Sequence, residues 1–291
     1  WSLNCSPFWP VRCVVHRSIS QPQVPTPWCA LGAQPASLLS RAFPFCCRIA
    51  QRAPDLTGLL VEFNDLLLDD AQAIEAADAG GMLLATATAG AQVRSASTQL
   101  PDVAALPARG EVRSVVICGM GGSGVAGEVL KAVSGPTSPV PVVAHRGYTL
   151  PAWVGALDLV IVVSCSGSTE EALALHGEAV RRGCPSAVVA SEGSPLALAG
   201  IAAGGLVVPV NPGGRQPRAN LWALTVPVLQ IGAAVGLCSV NADVWERLAD
   251  LVDAEAMACG PMVSVPENPA KQLAYSLAGT LPLVWGCTPL M

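Results

Sequence analysis

Charge is scarce in this chain. Only 13% of its 291 residues are charged, and the formal net charge is −5. No stripe of lysine and arginine is dense enough to neutralise phosphates in number, which argues against nucleic acid as a partner. Aromatic residues are also few, at 4%, while alanine, valine, leucine and glycine dominate. A chain of this length and apolarity has ample material for one large or two modest domains.

The charges that exist are unevenly placed. Residues 1–54 carry Arg12, Arg17, Arg41, Arg48 and Arg52 but no acidic side chain. They also hold Cys5, Cys13, Cys29, Cys46 and Cys47, with eight prolines and no sustained helical or strand period. A disulfide-rich secreted module would explain the cysteines. A targeting segment would explain the arginines, but a basic head followed by a clean apolar stretch is missing. The preferred reading is translation upstream of the true start, so residues 1–60 are expected to be a non-globular leader, with Val61 as a plausible beginning. The other six cysteines are scattered singly and read as small buried hydrophobes of a reduced, cytoplasmic protein. The apolar run "LWALTVPVLQIGAAVGLC" (221–238) is long enough to raise a membrane span. Pro227, Gln230 and the lack of a basic flank after it favour a helix buried against a sheet, with no membrane partner.

Residues 66–98 read as helical, with Asp69 and Asp70 as a cap region and Gly80-Gly81 as a break. "PDVAALPARGE" then reads as a linker. From 112 to 210 short apolar strands alternate with helices: strands at 114–118, 140–144, 159–164, 186–190 and 205–210, and helices at about 123–134, 169–182 and 194–201. Near-continuous apolar strands separated by helices imply an α/β fold, a parallel five-stranded sheet with helices on both faces. Longer helices are expected at 218–237 and 242–258, another entered through Asn268-Pro269, and a strand at 280–286. The domain expectation is therefore a helical segment at 61–106, the sheet domain at 107–240, and connecting helices plus an incomplete second α/β unit at 241–291.

Ligands of such sheets sit beyond the carboxyl ends of the strands, and two of those ends carry unusual loops. The first, "GMGGSG" (119–124), fits the G-x-G-x-x-G spacing of dinucleotide-binding turns. Glycines there let backbone amides approach an anion, helped by the positive end of the following helix. NAD also calls for an acid about 20 residues on, to hold the ribose. No acid occurs between Glu128 and Asp158; Arg146 could instead meet the 2′-phosphate of NADP. The second loop, "SCSGST" (164–169), gathers Ser164, Ser166, Ser168 and Thr169 around Gly167 at a helix start. One hydroxyl would be an ordinary cap; four at a strand end point to an anion cradle.

Together "GMGGSG" and "SCSGSTEE" resemble the two phosphate-contacting segments of the sugar isomerase (SIS) domain family. The similarity is closest to its bifunctional phosphoglucose/phosphomannose isomerase branch, which typically reads G-M-G-G-S-G and S-Y-S-G-N-T-E-E. The chain departs from that pattern at Cys165 and Ser168. The match spans roughly 110–240 closely and 66–290 loosely. The resemblance implies a flavodoxin-like SIS fold, a sugar phosphate as ligand, no cofactor and no metal, and pairing into a homodimer. It implies that Ser123, Ser164, Ser166 and Thr169 contact the phosphate while Gly121 and Gly122 shape its approach. "PRA" (217–219) resembles a further segment of that branch, whose arginine faces the sugar; here that is Arg218. A cation at a helix start opposes the helix dipole, which favours a functional role: stabilising the charge of an enediolate. Arg215 is near enough in sequence to share it.

Aldose–ketose isomerisation also needs a base between C1 and C2 and an acid/base group to open the ring. In the branch these are a glutamate and a histidine of an N-H-N motif, both in a second α/β unit. None of His16, His145 and His176 matches that position. The expectation is a phosphosugar-binding chain of the isomerase type (glucose 6-phosphate or mannose 6-phosphate to fructose 6-phosphate) that is inactive alone. A non-catalytic sugar-phosphate sensor and an NADP-binding oxidoreductase remain as alternatives.

Overall fold

The computed structural model describes residues 13–16, 63–99 and 103–284. The expected leader lies outside these residues except for the strand Cys13–His16, which pairs antiparallel with Leu281–Val284. The described chain divides into two compact units. One is 67–271; the other comprises 13–16, 63–66 and 272–284. In the smaller unit Phe63 and Tyr275 meet edge to face at 5.7 Å.

The larger unit contains the predicted sheet. Its strands are β1 (Ser114–Gly119), β2 (Val142–His145), β3 (Asp158–Ser164), β4 (Ser186–Ser191) and β5 (Leu206–Val210). All pairings are parallel, in the order β2-β1-β3-β4-β5. β1 and β3 are buried at every position, as expected of central strands covered on both faces. Side chains alternate across the pleat. Val115, Ile117, Leu159 and Ile161 face one helical layer; Val116, Cys118, Val160 and Val162 face the other.

Before the sheet lie α1 (Ala71–Ala77), α2 (Met82–Ala87) and α3 (Ala89–Ser97). Asp70 caps α1 by accepting from the amides of Gln72 and Ala73, each at 3.0 Å. The glycine break is real, with Gly81 at φ +62°. A second break at Thr88 separates α2 from α3; there the Thr88 hydroxyl donates back to Leu84 O at 2.7 Å, a local bond that competes with regular helix. Following the strands are α4 (Val125–Ser134), α5 (Glu170–Arg181), α6 (Pro195–Ala202) and α7 (Leu221–Ala234). α8 (Ala242–Ala258) runs the length read from the sequence, and α9 (Pro269–Leu277) is entered through Asn268, whose Oδ1 accepts from the Ala270 and Lys271 amides at 3.0 and 3.1 Å.

α7 carries the apolar run that suggested a membrane. Residues 224–232 are buried, with Leu224, Val228 and Ile231 in the layer shared with α3, α4 and α8. Among the described residues no helix is long and apolar enough to cross a membrane. Cys118, Cys165 and Cys184 are buried, while Cys238 and Cys259 are half-buried; all five are free thiols. Burial, helped by the charge of Glu178, pushes the Cys118 thiol up to about 12, so it stays protonated. Cys287 lies outside the described residues.

The strand ends opposite the two loops are fixed by Asp158, which is fully buried. It accepts from Arg113 Nε at 3.0 Å, Ser114 Oγ at 2.8 Å and the Gly155 amide at 2.8 Å. Burial would raise its carboxyl, but these hydrogen bonds prevail and hold it below the usual carboxylate range. A depressed folded pKa contributes stability that is complete above the unfolded value of about 3.9 and is lost as pH falls through the folded one. Asp158→Asn is therefore expected to lower Tm by roughly 5 °C at pH 7. The difference from the parent should shrink as urea unfolding curves are taken from pH 5 to pH 2.

Candidate functional site

β1 leads to β2 on one side of it, and the chain then crosses back to β3 on the other. The crevice at that reversal, beyond the carboxyl ends of β1 and β3, is where ligands of open α/β sheets bind. Both unusual loops emerge there. After β1, Gly121–Gly124 forms a 3-10 turn that runs into α4. After β3, residues 165–169 lead to α5.

The glycines of the first loop are required by close backbone approach. A Cβ on Gly124 would lie 2.6 Å from Gly119 O, and one on Gly119 2.9 Å from Ser123 O. On Gly122 it would lie 2.9 Å from the Arg218 amide nitrogen and 3.1 Å from Pro217 Cβ. Gly121 takes φ +52° and faces open space. The loop therefore packs on itself and on the 3-10 turn Pro217–Asn220.

Ser123 ties the first loop to the second. It is buried, and its hydroxyl oxygen accepts from the Cys165 amide at 3.3 Å. The four hydroxyls of the second loop are not equivalent. Ser164 is buried, accepts from the Gly167 amide at 3.0 Å and lies 3.2 Å from Thr169 Oγ1. Ser166, Ser168 and Thr169 are exposed. The Ser166 oxygen accepts from the Ser168 amide at 3.3 Å and the Ser168 hydroxyl at 3.2 Å. Gly167, at φ +64°, sits against Ser194, which caps α6. Thr169 starts α5 without a side-chain capping bond, and the first intrahelical amide bond there is Leu173 N–H to Thr169 O at 3.1 Å. The amides of the first turn consequently point out of the helix end. Amides and neutral hydroxyls in this arrangement can hold a tetrahedral oxyanion.

Arg218 reaches the site through its backbone. Its side chain donates to Gln216 Oε1 at 2.5 Å and lines a cavity of about 250 Å³ with Met82, Thr86 and Leu221. Arg215 turns elsewhere, to Thr88 Oγ1 at 3.4 Å. Asn220, buried in the same turn, gathers the preceding segment: its Nδ2 donates to Pro212 O, Arg215 O and Gln216 O at 3.2–3.3 Å. It also approaches Cys165 Sγ at 3.7 Å, linking the turn to the second loop. Gln92, whose Nε2 donates to Ala219 O at 2.9 Å, escaped sequence reasoning because its partner is a backbone carbonyl 127 residues away; Asn220 escaped because its carbonyl partners, though near in sequence, are revealed only by the turn's conformation. Tyr148, in the loop after β2, carried no sequence signal either; the Glu171 carboxylate beside it pushes its phenol up.

Arg146, the candidate for a 2′-phosphate, pairs with Glu128 at 3.2 Å. His145 Nε2 meets Thr149 O at 2.7 Å and shapes the loop after β2. His176 is buried within α5; burial lowers its pKa, and its Nε2 has no partner among the described residues. His16 belongs to a strand whose side chains are not described. Among the described residues no group of three or more His, Cys, Asp or Glu side chains is placed to hold a metal.

The class this geometry defines is a doubly wound α/β domain with two loops of backbone amides and hydroxyls meeting at its switch point. The particular relatives are phosphosugar isomerases. The chain is similar to the bifunctional phosphoglucose/phosphomannose isomerase of Caldicellulosiruptor bescii, with 32% identity over 176 residues, 60% of this chain and 51% of that protein. The enzyme of the same description from Thermoplasma acidophilum is 30% identical over 181 residues, 62% of this chain and 52% of that protein. The resemblance carried by "GMGGSG" and "SCSGSTEE" thus extends well beyond the two loops. The chain spans about half the length of the curated relatives it matches. No family model matches it. Among solved structures, the C-terminal domain of glucosamine-fructose-6-phosphate aminotransferase from Francisella tularensis aligns with a TM-score of 0.47 and 16% identity, over 62% of this chain and 55% of that one.

The contact at Gly122 can be tested directly. Gly122→Ala is expected to displace the Pro217–Asn220 turn, because the added methyl meets the Arg218 backbone. Gly121→Ala meets no atom and costs only the strain of a left-handed residue, about 1 kcal/mol. Hydrogen exchange at residues 218–221 should accelerate at least tenfold in the first variant and stay at parental rates in the second.

Proposed function

We propose that this chain binds a hexose 6-phosphate, its phosphate held between the glycine loop after β1 and the hydroxyl loop after β3. In this reading the amides around Gly121 and Gly122 and the hydroxyls of Ser166 and Thr169 contact the phosphate. Ser123 and Ser164 hold the two loops in register, each with its oxygen already accepting a backbone amide. The observation that carries the reading is the Ser123–Cys165 bond, which joins the two loops across 42 residues of sequence. The similarity to phosphoglucose/phosphomannose isomerases supports a hexose as the rest of the ligand. To Arg218, on the turn that touches the glycine loop, we assign the stabilisation of negative charge on the sugar's oxygen during proton transfer, a role supported by the family resemblance of the 217–219 segment. The ring-opening and proton-shuttling groups are proposed to lie outside these 291 residues, so that the chain alone binds without turnover.

The test is thermal unfolding with glucose 6-phosphate, mannose 6-phosphate and fructose 6-phosphate, since a ligand of the native state raises Tm. At 100 times Kd the rise should be on the order of 5 °C. Free glucose should give none, and Ser166→Trp should abolish the shift. A shift with NADPH and none with the hexose phosphates would replace this reading by the oxidoreductase one. A coupled isomerase assay on the same protein should show no turnover; turnover at the rate of a complete isomerase would overturn the assignment of the catalytic groups elsewhere.

A further inference from the structure

The buried residues of α5 are Ala172, Leu175, His176 and Ala179, spaced three and four apart so that they form one stripe along the helix. Three of them are apolar. The fourth is an imidazole that is 2% exposed and whose Nε2 has no partner among the described residues. A buried polar atom without a partner is a cost to the fold, one that a leucine at 176 would not incur.

No charged group offsets that cost. α5 packs on β1, β3, β4 and α6, and neither β4 nor α6 carries a titratable side chain. β1 contributes Cys118, whose thiol stays protonated. β3 contributes Asp158, which is committed to Arg113, Ser114 and Gly155. On α5 itself, Glu178 accepts from the Leu150 amide at 2.7 Å and from Arg182 at 2.6 Å. Glu170 and Arg181 are exposed, and Glu171 lies beside Tyr148 in the loop after β2. Cys184, buried just after the helix, has its thiol pushed up by burial. Burial is also what lowers the pKa of the His176 ring, with no charge acting on it. A proton would make both ring nitrogens donors and add a charge where there is neither acceptor nor counter-charge.

The two halves of α5 are held unequally. At its C-terminal end Arg182 donates to Pro151 O, Val154 O and Leu150 O at 2.7, 3.0 and 3.2 Å, and Glu178 strengthens the clamp. Residues 170–176 have no such clamp: Ala172 and Leu175 are buried there and Leu173 is half-buried. That lightly held half begins at Thr169, where the hydroxyl loop ends.

We propose that His176 is an acid-sensitive latch on the phosphate site: taking up a proton frees the N-terminal half of α5, with Thr169 and the first-turn amides, from the sheet. The inference rests on the reading of that loop as the phosphate site and adds a means of regulating it. The closed helix resists the proton, so its advantage is complete above about pH 6.5, the value of a free imidazole. It is lost as pH falls from there through the lowered folded value. A freed ring is protonated about tenfold over neutral at pH 5.5, so opening there is about ten times as favourable as at pH 7.5. Half a helix without its packing does not persist in water, so opening is read as lost amide protection.

The experiment is hydrogen exchange on the 291-residue chain at pH 7.5 and pH 5.5, with rates referred to the intrinsic rate at each pH. Without ligand, protection at residues 173–176 should fall about tenfold on acidification, while that at 159–163 in β3 stays constant. His176→Leu, and separately His176→Gln, should abolish the fall. In the parent the His176 ring resonance should show a neutral ring at pH 5.5, a readout that needs no variant. Glucose 6-phosphate at 100 times its Kd at pH 5.5 should raise protection at 173–176 about a hundredfold, as for any ligand of the closed form alone. An equal fall at 159–163, a fall that survives in either folded variant, or a ring already protonated at pH 5.5 overturns the latch. Glucose 6-phosphate that binds without protecting 173–176 overturns its link to the site. Absence of glucose 6-phosphate binding at pH 7.5 overturns the phosphate reading instead, and the ligand-free exchange then still decides the latch.

Discussion

The bare backbone of Gly122 against the backbone of Arg218 is the contact on which the rest of the site depends. The turn after β5 has to lie within van der Waals reach of the turn after β1, and a single methyl at 122 would stand 2.9 Å from the Arg218 nitrogen. The neighbouring glycines extend the same constraint inward, since Gly119 and Gly124 let the first loop fold onto itself. With the loop this flat, Ser123 can reach sideways to the Cys165 amide. The three segments therefore form one surface, in which a displacement of any segment is felt by the other two.

That surface is held from behind by polar groups that a sparsely charged chain uses sparingly. Arg94 on α3 bonds Glu246, Asp250 and Asp253 on α8 at 3.2, 2.7 and 2.7 Å. Each pair is at least partly exposed and worth little alone, but three carboxylates on one guanidinium fix where α3 lies along α8. Gln92, two residues before Arg94, then delivers that position to the Pro217–Asn220 turn through its bond to Ala219 O. Asn220 completes the arrangement from the other side by collecting three carbonyls of the segment before the turn. At the opposite end of β3, Asp158 anchors the strand that delivers Ser164.

The order of strands and helices was legible in the sequence because the two periods are so different. Buried strands such as "SVVIC" admit no polar residue after their first position, whereas α8, with one face apolar, could be read to both ends. Asp158 opens β3 but reads as loop in the sequence, because a carboxylate at the head of an apolar strand makes sense only once Arg113 and Ser114 lie beside it. The break at Thr88 was hidden for a related reason, since a threonine within a helical run shows nothing of its bond to Leu84 O. The site was legible as residue types and not as roles. Four hydroxyls in "SCSGST" look alike in sequence, yet Ser164 is turned inward while Ser166 and Thr169 face out. Arg215 and Arg218 likewise look interchangeable, yet Arg215 turns to Thr88 Oγ1 and Arg218 to Gln216 Oε1.

The donors assembled at the crevice are amides and hydroxyls, which carry no titratable charge between pH 5 and pH 9. In the proposed complex a phosphate would be held by oriented dipoles rather than by net charge, so screening by salt would weaken it less than it weakens an exposed lysine or arginine contact. The two acidic residues opening α5, Glu170 and Glu171, carry the same sign of charge as an anion there. The Glu171 carboxylate, however, lies close enough to the Tyr148 phenol to push it up. Glutamates at this position favour the helix dipole and help to set α5 in place before any ligand arrives. The helix end can then present its first-turn amides already oriented, and preorganisation of this kind lets neutral groups do for an anion what a mobile cation would do with a greater loss of side-chain freedom.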